Sequence, residues 1–176
     1  EPLDSCNVGP GEWARMAQII YDNYEDYEGF VILHGTDTMV FSAAILSFML
    51  RNLGKPVILT GAQRSALVDV RNDATQNFIT ALLLAAPKFS GVRAVPEVMV
   101  YFGGMLYRGN RTTKDDTAGY NAYRSPNLAP LGEIGDRIVI NENTIRALPG
   151  PEARFFIRTK LNTCVIPMLI FPGISA

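Results

Sequence analysis

Three side chains have the types that nucleophilic acyl chemistry needs. Thr36 and its neighbour Asp37 stand at the exit of an apolar run, and Lys114 closes the string Arg108-Gly109-Asn110-Arg111-Thr112-Thr113-Lys114. A threonine hydroxyl is a weak nucleophile until a base relieves it of its proton, and a lysine beside a carboxylate and a hydroxyl can help it do so. The local alternative is plainer. Thr and Asp are favoured N-caps, accepting the free N–H groups of a helix's first turn, and Lys114 precedes Asp115-Asp116 as a surface lysine would. On local evidence capping is the stronger reading. The single histidine, His34, sits at a strand end beside Gly35 and reads as structural, outside the catalytic set.

These residues need elements to position them. From Pro10 to Tyr24 the apolar positions Trp13, Met16, Ala17 and Ile20 recur at helical spacing, with Pro10 in the first turn. Gly29 ends that pattern, and Phe30-Val31-Ile32-Leu33 forms a continuous apolar run, as a strand buried on both faces does. An Ala/Leu/Met/Phe-rich helix is expected from Thr38 to Leu50, stopped by Gly54-Lys55-Pro56. A second strand follows at Val57–Thr60, then a polar loop over Gln63–Asn72, a helix over Asp73–Ala85 and a strand at Glu97–Phe102. Strands alternating with helices predict an α/β fold, an open, mostly parallel sheet with helices on both faces. Ligands in such sheets bind at the carboxyl ends of the strands, and His34–Thr38 and Gly61–Arg64 both fall there. Beyond Gly103 the chain turns loop-rich to Asn127, with a short hairpin-like excursion, and Arg137–Ile140 offers one more strand.

Composition bounds the function. Of 176 residues, 48% are hydrophobic and 19% charged, the balance of a folded globular chain. A net charge of -1 without a basic block argues against nucleic acid. Cys6 and Cys164 lie far apart with no metal-type spacing, so no metal or cofactor is expected, and reduced thiols suit a cytoplasmic protein. No segment has the length of a membrane span.

The strings His34-Gly35-Thr36-Asp37-Thr38-Met39, Leu46–Leu50 and Gly54–Gly61 resemble bacterial-type L-asparaginase. Arg108–Lys114 and Ser125-Pro126-Asn127-Leu128 are similar to its cytosolic type I branch. The resemblance implies hydrolysis of L-asparagine to L-aspartate and ammonia in a homo-oligomer, a dimer or tetramer, without a cofactor. It implies Thr36, Asp37 and Lys114 as the catalytic set, with Asp37 holding the α-ammonium group of the substrate. It further implies Asp4 and Ser5 at the α-carboxylate end, Gly35 keeping backbone close to ligand, and Ala62 lending a backbone N–H to an oxyanion pocket. An asparaginase-like subunit of a tRNA-dependent amidotransferase shares the His-Gly-Thr-Asp-Thr segment and stands as the alternative, as does an inactive structural fragment.

Two departures qualify that expectation. The family's Thr-Gly-Gly-Thr-Ile-like turn, which carries the attacking threonine, does not occur in this chain, and Gly103-Gly104 does not replace it. The chain alone is therefore expected to be inactive. Ala74 stands where the family commonly has glycine, which is harmless if the position is helical. The domain reading is an asparaginase N-terminal domain over 1–148, a linker over 149–163, and the start of a C-terminal domain over 164–176.

Overall fold

Pro10 opens the first helix, α1 (Pro10–Asp22), where its missing N–H costs nothing, and Glu12 reaches back to accept the Gly9 N–H at 2.9 Å. The computed structural model describes residues 3–67 and 70–174. Glu1, Pro2, Val68, Asp69, Ser175 and Ala176, which belong to the expected outer domain ends and the polar loop, lie outside the described residues.

After α1 come β1 (Phe30–Leu33), α2 (Met39–Met49), β2 (Leu50–Arg51), β3 (Val57–Thr60), α3 (Ala74–Ala85) and the single turn α4 (Pro87–Ser90). The second half is strand-rich: β4 (Val98–Phe102), β5 (Met105–Arg108), β6 (Thr113–Lys114), β7 (Tyr123–Arg124), β8 (Gly132–Ile134), β9 (Ile138–Ile140) and β10 (Phe156–Ile157). The fold is α/β. One open sheet has the order β1-β3-β4-β5-β8-β9. Its β1, β3 and β4 are mutually parallel, and β5, β8 and β9 extend it by antiparallel pairings.

Period-two alternation explains the apolar strands. Val57, Leu59, Val98, Val100 and Phe102 face α1 and α2, packing on Ala17, Ile20, Met39, Ala43 and Leu46. Ile58, Met99 and Tyr101 face the other way, onto Ala81, Leu84 and Ala85 of α3. Helices on both faces thus require strands without a polar side.

Several expectations change in detail. Helix α2 ends at Met49 rather than running to a stop at Gly54, because Leu50 and Arg51 peel off to pair with β10. The left-handed residue after it is Asn52, at φ 55°, not Gly54, whose N–H is instead held by the Tyr24 hydroxyl at 2.7 Å. Ala74 is the first residue of α3, so alanine suits it. Gly103 and Gly104, at φ 57° and 83°, form the two-residue turn between β4 and β5, with Phe102 opposite Met105. Both central residues need positive φ there, which is why the pair is Gly-Gly. This is the expected hairpin-like excursion.

The segment from Pro149 returns to the body of the chain. Phe155 stacks on Tyr24 at 3.8 Å between ring centroids, and Asn52 donates to the Arg154 carbonyl at 2.9 Å. Beyond it, Val165, Ile166, Met168, Leu169, Ile170 and Phe171 are all exposed. Among the described residues no helix is long and apolar enough to cross a membrane.

Candidate active site

The loop of residues 34–38 leaves β1 at its carboxyl end, next to the loop that leaves β3, since Leu33 is paired with Thr60 and the His34 N–H donates to the Thr60 carbonyl at 2.8 Å. Adjacent parallel strands therefore set Thr36-Asp37 beside Gly61–Arg64. Lys114 arrives from the far side. Its carrier is a two-residue ribbon in which Thr113 pairs with Arg124 and Lys114 with Tyr123.

There the lysine meets both of its expected partners. Lys114 Nζ donates to Thr36 Oγ1 at 3.0 Å and to Asp37 Oδ1 at 2.7 Å. The Lys114 side chain is 14% exposed and that of Asp37 61%, so the pair sits at the mouth of a partly enclosed site. The ammonium hydrogen bond and charge hold the Asp37 carboxyl below the usual carboxylate range. Capping, the stronger local reading, is not what Thr36 and Asp37 do. The N-cap of α2 is Thr38, whose hydroxyl donates to the Ser5 carbonyl at 2.6 Å. The Thr36 hydroxyl, accepting from Lys114, donates to Gln63 Oε1 at 3.4 Å, and the Asp37 carboxylate is occupied by charge.

The remaining expected residues fall around this centre. Ser5 is buried against Gly35: a Cβ at Gly35 would stand 2.7 Å from both Ser5 Cβ and Oγ, so glycine admits Ser5 to the loop. Asp4 caps the short turn Ser5–Asn7 by accepting the Cys6 N–H at 2.9 Å. The Cys6 thiol, 3.9 Å from Asp37 Oδ2, is exposed and has its pKa raised by the hydrogen bond and charge of Asp4, with Asp37 adding to the effect. Ala62 lines a largely apolar groove with Leu33, His34, Thr60, Ala66, Leu67 and Phe78. Its N–H makes no backbone hydrogen bond among the described residues.

His34 is spoken for by the fold. Trp13 Nε1–H donates to Ser42 Oγ at 2.8 Å, and Ser42 Oγ lies 2.8 Å from His34 Nε2. The other ring nitrogen faces the Gly35 carbonyl at 2.7 Å, which requires a proton on Nδ1. Burial lowers the histidine pKa, so the ring is the neutral Nδ1–H tautomer and accepts from Ser42.

Two contributors lie outside the set that the sequence singles out. Tyr123, buried, donates its hydroxyl to the Thr36 carbonyl at 2.6 Å while its ring meets Phe102 edge-on at 5.0 Å between centroids. Burial, with the Asp37 charge adding to it, pushes the Tyr123 phenol up. Gln63 has its amide turned by a bond from Nε2 to the Gly119 carbonyl at 3.2 Å, leaving Oε1 for Thr36. An aromatic inside a polar stretch and a glutamine after Gly-Ala are the signals that sequence offers for them.

The family model described as Asparaginase, N-terminal matches residues 1–146. The chain belongs to the asparaginase family. It is 44% identical over 174 residues to L-asparaginase 1 of Escherichia coli K12, covering 99% of this chain and 49% of that protein. It is also 36% identical over 183 residues to a glutamyl-tRNA(Gln) amidotransferase subunit of Pyrococcus abyssi, covering 98% of this chain and 40% of that protein. Among solved structures, L-asparaginase I from Vibrio cholerae superposes with a TM-score of 0.82 at 41% identity, over 98% of this chain and 50% of that one. This asparaginase-family chain thus spans about half the length of the Escherichia coli and Vibrio cholerae asparaginases.

Proposed function

We propose that this chain is the gripping and activating part of an L-asparaginase, which converts L-asparagine and water to L-aspartate and ammonia. The observation that carries the reading is the three-centre contact of Lys114 Nζ with Thr36 Oγ1 and Asp37 Oδ1. Lys114 orients the Thr36 hydroxyl and stabilises negative charge as it develops on that oxygen, and Thr36 in turn orients the water that cleaves an acyl-enzyme. Asp37, held ionised, receives the α-ammonium group of the substrate, a charge-assisted contact that orients it. Asp4 and Ser5, from the turn packed against Gly35, serve the α-carboxylate end. The N–H of Ala62, without a backbone hydrogen bond among the described residues, serves the developing oxyanion in this reading, where one such donor is worth roughly 10²–10³ in rate.

The first nucleophile in this scheme is a threonine that the chain does not carry. Its seat is the outer edge of β1, a strand that among the described residues pairs with β3 alone, with Leu33, Phe78 and Phe89 exposed on that side. A strand added there would enter beside Thr36. The exposed apolar segment Val165–Phe171 would enter a second domain after a linker over 149–163, and the full enzyme would be a cytoplasmic homo-oligomer.

The test is calorimetric titration of L-aspartate, and an ammonia assay with L-asparagine, on the chain joined to an upstream segment bearing the threonine turn. Binding that Asp37→Ala abolishes, and ammonia release only when that segment is present, are expected. A folded protein that neither binds nor turns over ends the proposal. Copurification with tRNA or a second subunit, without free asparaginase activity, would instead favour the amidotransferase role that the Pyrococcus relative's name describes.

A further inference from the structure

Asp73 occupies the N-cap position of α3, yet its carboxylate makes no capping bond to that helix. Capping is worth about 1 kcal/mol to a helix, so the carboxylate is committed elsewhere at a cost. Its two oxygens reach back to the loop that leaves β3. Oδ2 accepts the Gln63 N–H at 3.0 Å and Oδ1 accepts the Arg64 N–H at 2.9 Å. One turn along α3, the buried Asn77 completes the grip: Nδ2 donates to the Gly61 carbonyl at 2.9 Å and lies 3.2 Å from Asp73 Oδ2.

Residues 61, 63 and 64 are therefore each held by a side chain of Asp73 or Asn77, and the peptide N–H between them, that of Ala62, is left free of backbone partners among the described residues. The same clamp sets the Cα of Gln63, whose side chain accepts the Thr36 hydroxyl and donates to the Gly119 carbonyl. A loop with one unclaimed donor and three anchored neighbours is preorganised: the donor need not move when charge develops in front of it.

We propose that Asp73, with Asn77, is a positioning residue of the active site, fixing the Gly61–Arg64 loop so that the Ala62 N–H and the Gln63 amide stand at set places before Thr36. This rests on the asparaginase reading for its catalytic use, but not for the clamp itself. The bonds of both side chains go to the Gly61–Arg64 loop and to each other, and neither makes a hydrogen bond to Thr36, Asp37 or Lys114 among the described residues. Asp73→Ala removes both acceptors, and Asp73→Asn keeps one oxygen while turning an NH2 donor towards the other loop N–H.

Two measurements test it. In the chain as it stands, amide hydrogen exchange is read residue by residue: Asp73→Ala speeds exchange at Gln63 and Arg64 at least tenfold, and Asp73→Asn speeds it mainly at one. Asn77→Ala has its largest effect next to Gly61. In the chain joined to its upstream segment, Asp73→Ala lowers kcat roughly 10²-fold, the order expected when a reacting geometry slips by about 1 Å, while KM stays within twofold because the substrate's α-end is gripped by other residues. A purely structural role would lower the unfolding midpoint and the number of L-aspartate sites counted by calorimetric titration, and kcat divided by that number of sites would stay at the wild-type value. Unchanged exchange at Gln63 and Arg64 overturns the clamp. Faster exchange with unaltered kcat overturns its catalytic use. Faster exchange in a protein whose wild type has no amidohydrolase activity takes down the asparaginase reading and the catalytic use together, with the clamp alone surviving.

Discussion

Tyr123→Phe isolates one hydrogen bond between the ribbon that carries Lys114 and the loop that carries Thr36. The ring, and with it the edge-on contact to Phe102, is kept; only the O–H that donates to the Thr36 carbonyl at 2.6 Å is removed. That carbonyl then has no donor in a partly buried place, which costs about 1–3 kcal/mol. A chain of this size shifts its midpoint by about 2–4 °C per kcal/mol, so thermal unfolding should fall by about 2–12 °C. The pH dependence supplies the sharper check. Burial raises the phenol in the folded state, so the native protein holds the proton more tightly than the unfolded chain does. The stability this contributes is fully present below the unfolded value near 10 and is lost as pH rises beyond it. Wild type should therefore lose up to about 1.4 kcal/mol per pH unit above 10 that Tyr123→Phe does not lose. Tyr24 and Tyr107 are raised too, but they are common to both proteins and drop out of the difference. Urea unfolding of the two proteins at pH 7, 10 and 11 measures it. A gap that is absent at pH 7, or one that fails to narrow above pH 10, would refute the reasoning.

Lys114→Met should raise the Asp37 carboxyl towards its ordinary value, followed by carboxyl ¹³C shifts across an acid titration. Because that pKa is depressed in the folded state, whatever the ion pair contributes is present above the unfolded value near 4 and fades as pH falls through the folded one. Glu97→Ala should cost about 3–5 kcal/mol by urea unfolding, since a carboxylate whose side chain is 2% exposed takes two bonds from Arg108 and the Arg146 N–H at 2.8 Å, and its loss strands the guanidinium. Gly61→Ala should be worse tolerated than Ala62→Gly, because a Cβ at Gly61 would lie 2.2 Å from the His34 carbonyl oxygen, a backbone atom that cannot swing aside; soluble yield and midpoint read the difference.

What is legible in the sequence is what burial writes into it. Strands β3 and β4 are read correctly because two covered faces demand uninterrupted apolar runs, whereas β1 falls where expected but is a part-buried edge strand with Leu33 exposed, not a strand covered on both faces. Strand β8 escapes such a reading because it is three residues long and begins with Gly132, too brief for any period to show. The β6–β7 ribbon is shorter still, two residues a side, and nothing in Thr113-Lys114 or Tyr123-Arg124 announces a pairing. That ribbon nonetheless carries Lys114 to Thr36, so local patterning can name the lysine as a candidate but not its destination; the family resemblance supplies that. Asp73 shows the converse failure. The sequence reading places it at the start of a helix and gives it no partner, and only the structure reveals that its oxygens point backwards to Gln63 and Arg64.

The Lys114–Thr36 contact joins positions 78 residues apart. For a flexible chain, closing a loop of that length costs about 4 kcal/mol in entropy, far more than one exposed ion pair returns. The intervening strands therefore have to align first, and the site condenses onto a sheet already made. Its chemical groups are latecomers in the order of folding, and the acid-shifted signal of Asp37 becomes a reporter for the last step rather than the first. A polypeptide whose parallel strands have paired but whose ribbon has not yet closed would pass most tests of secondary structure and still lack the contact of Lys114 with Thr36 and Asp37.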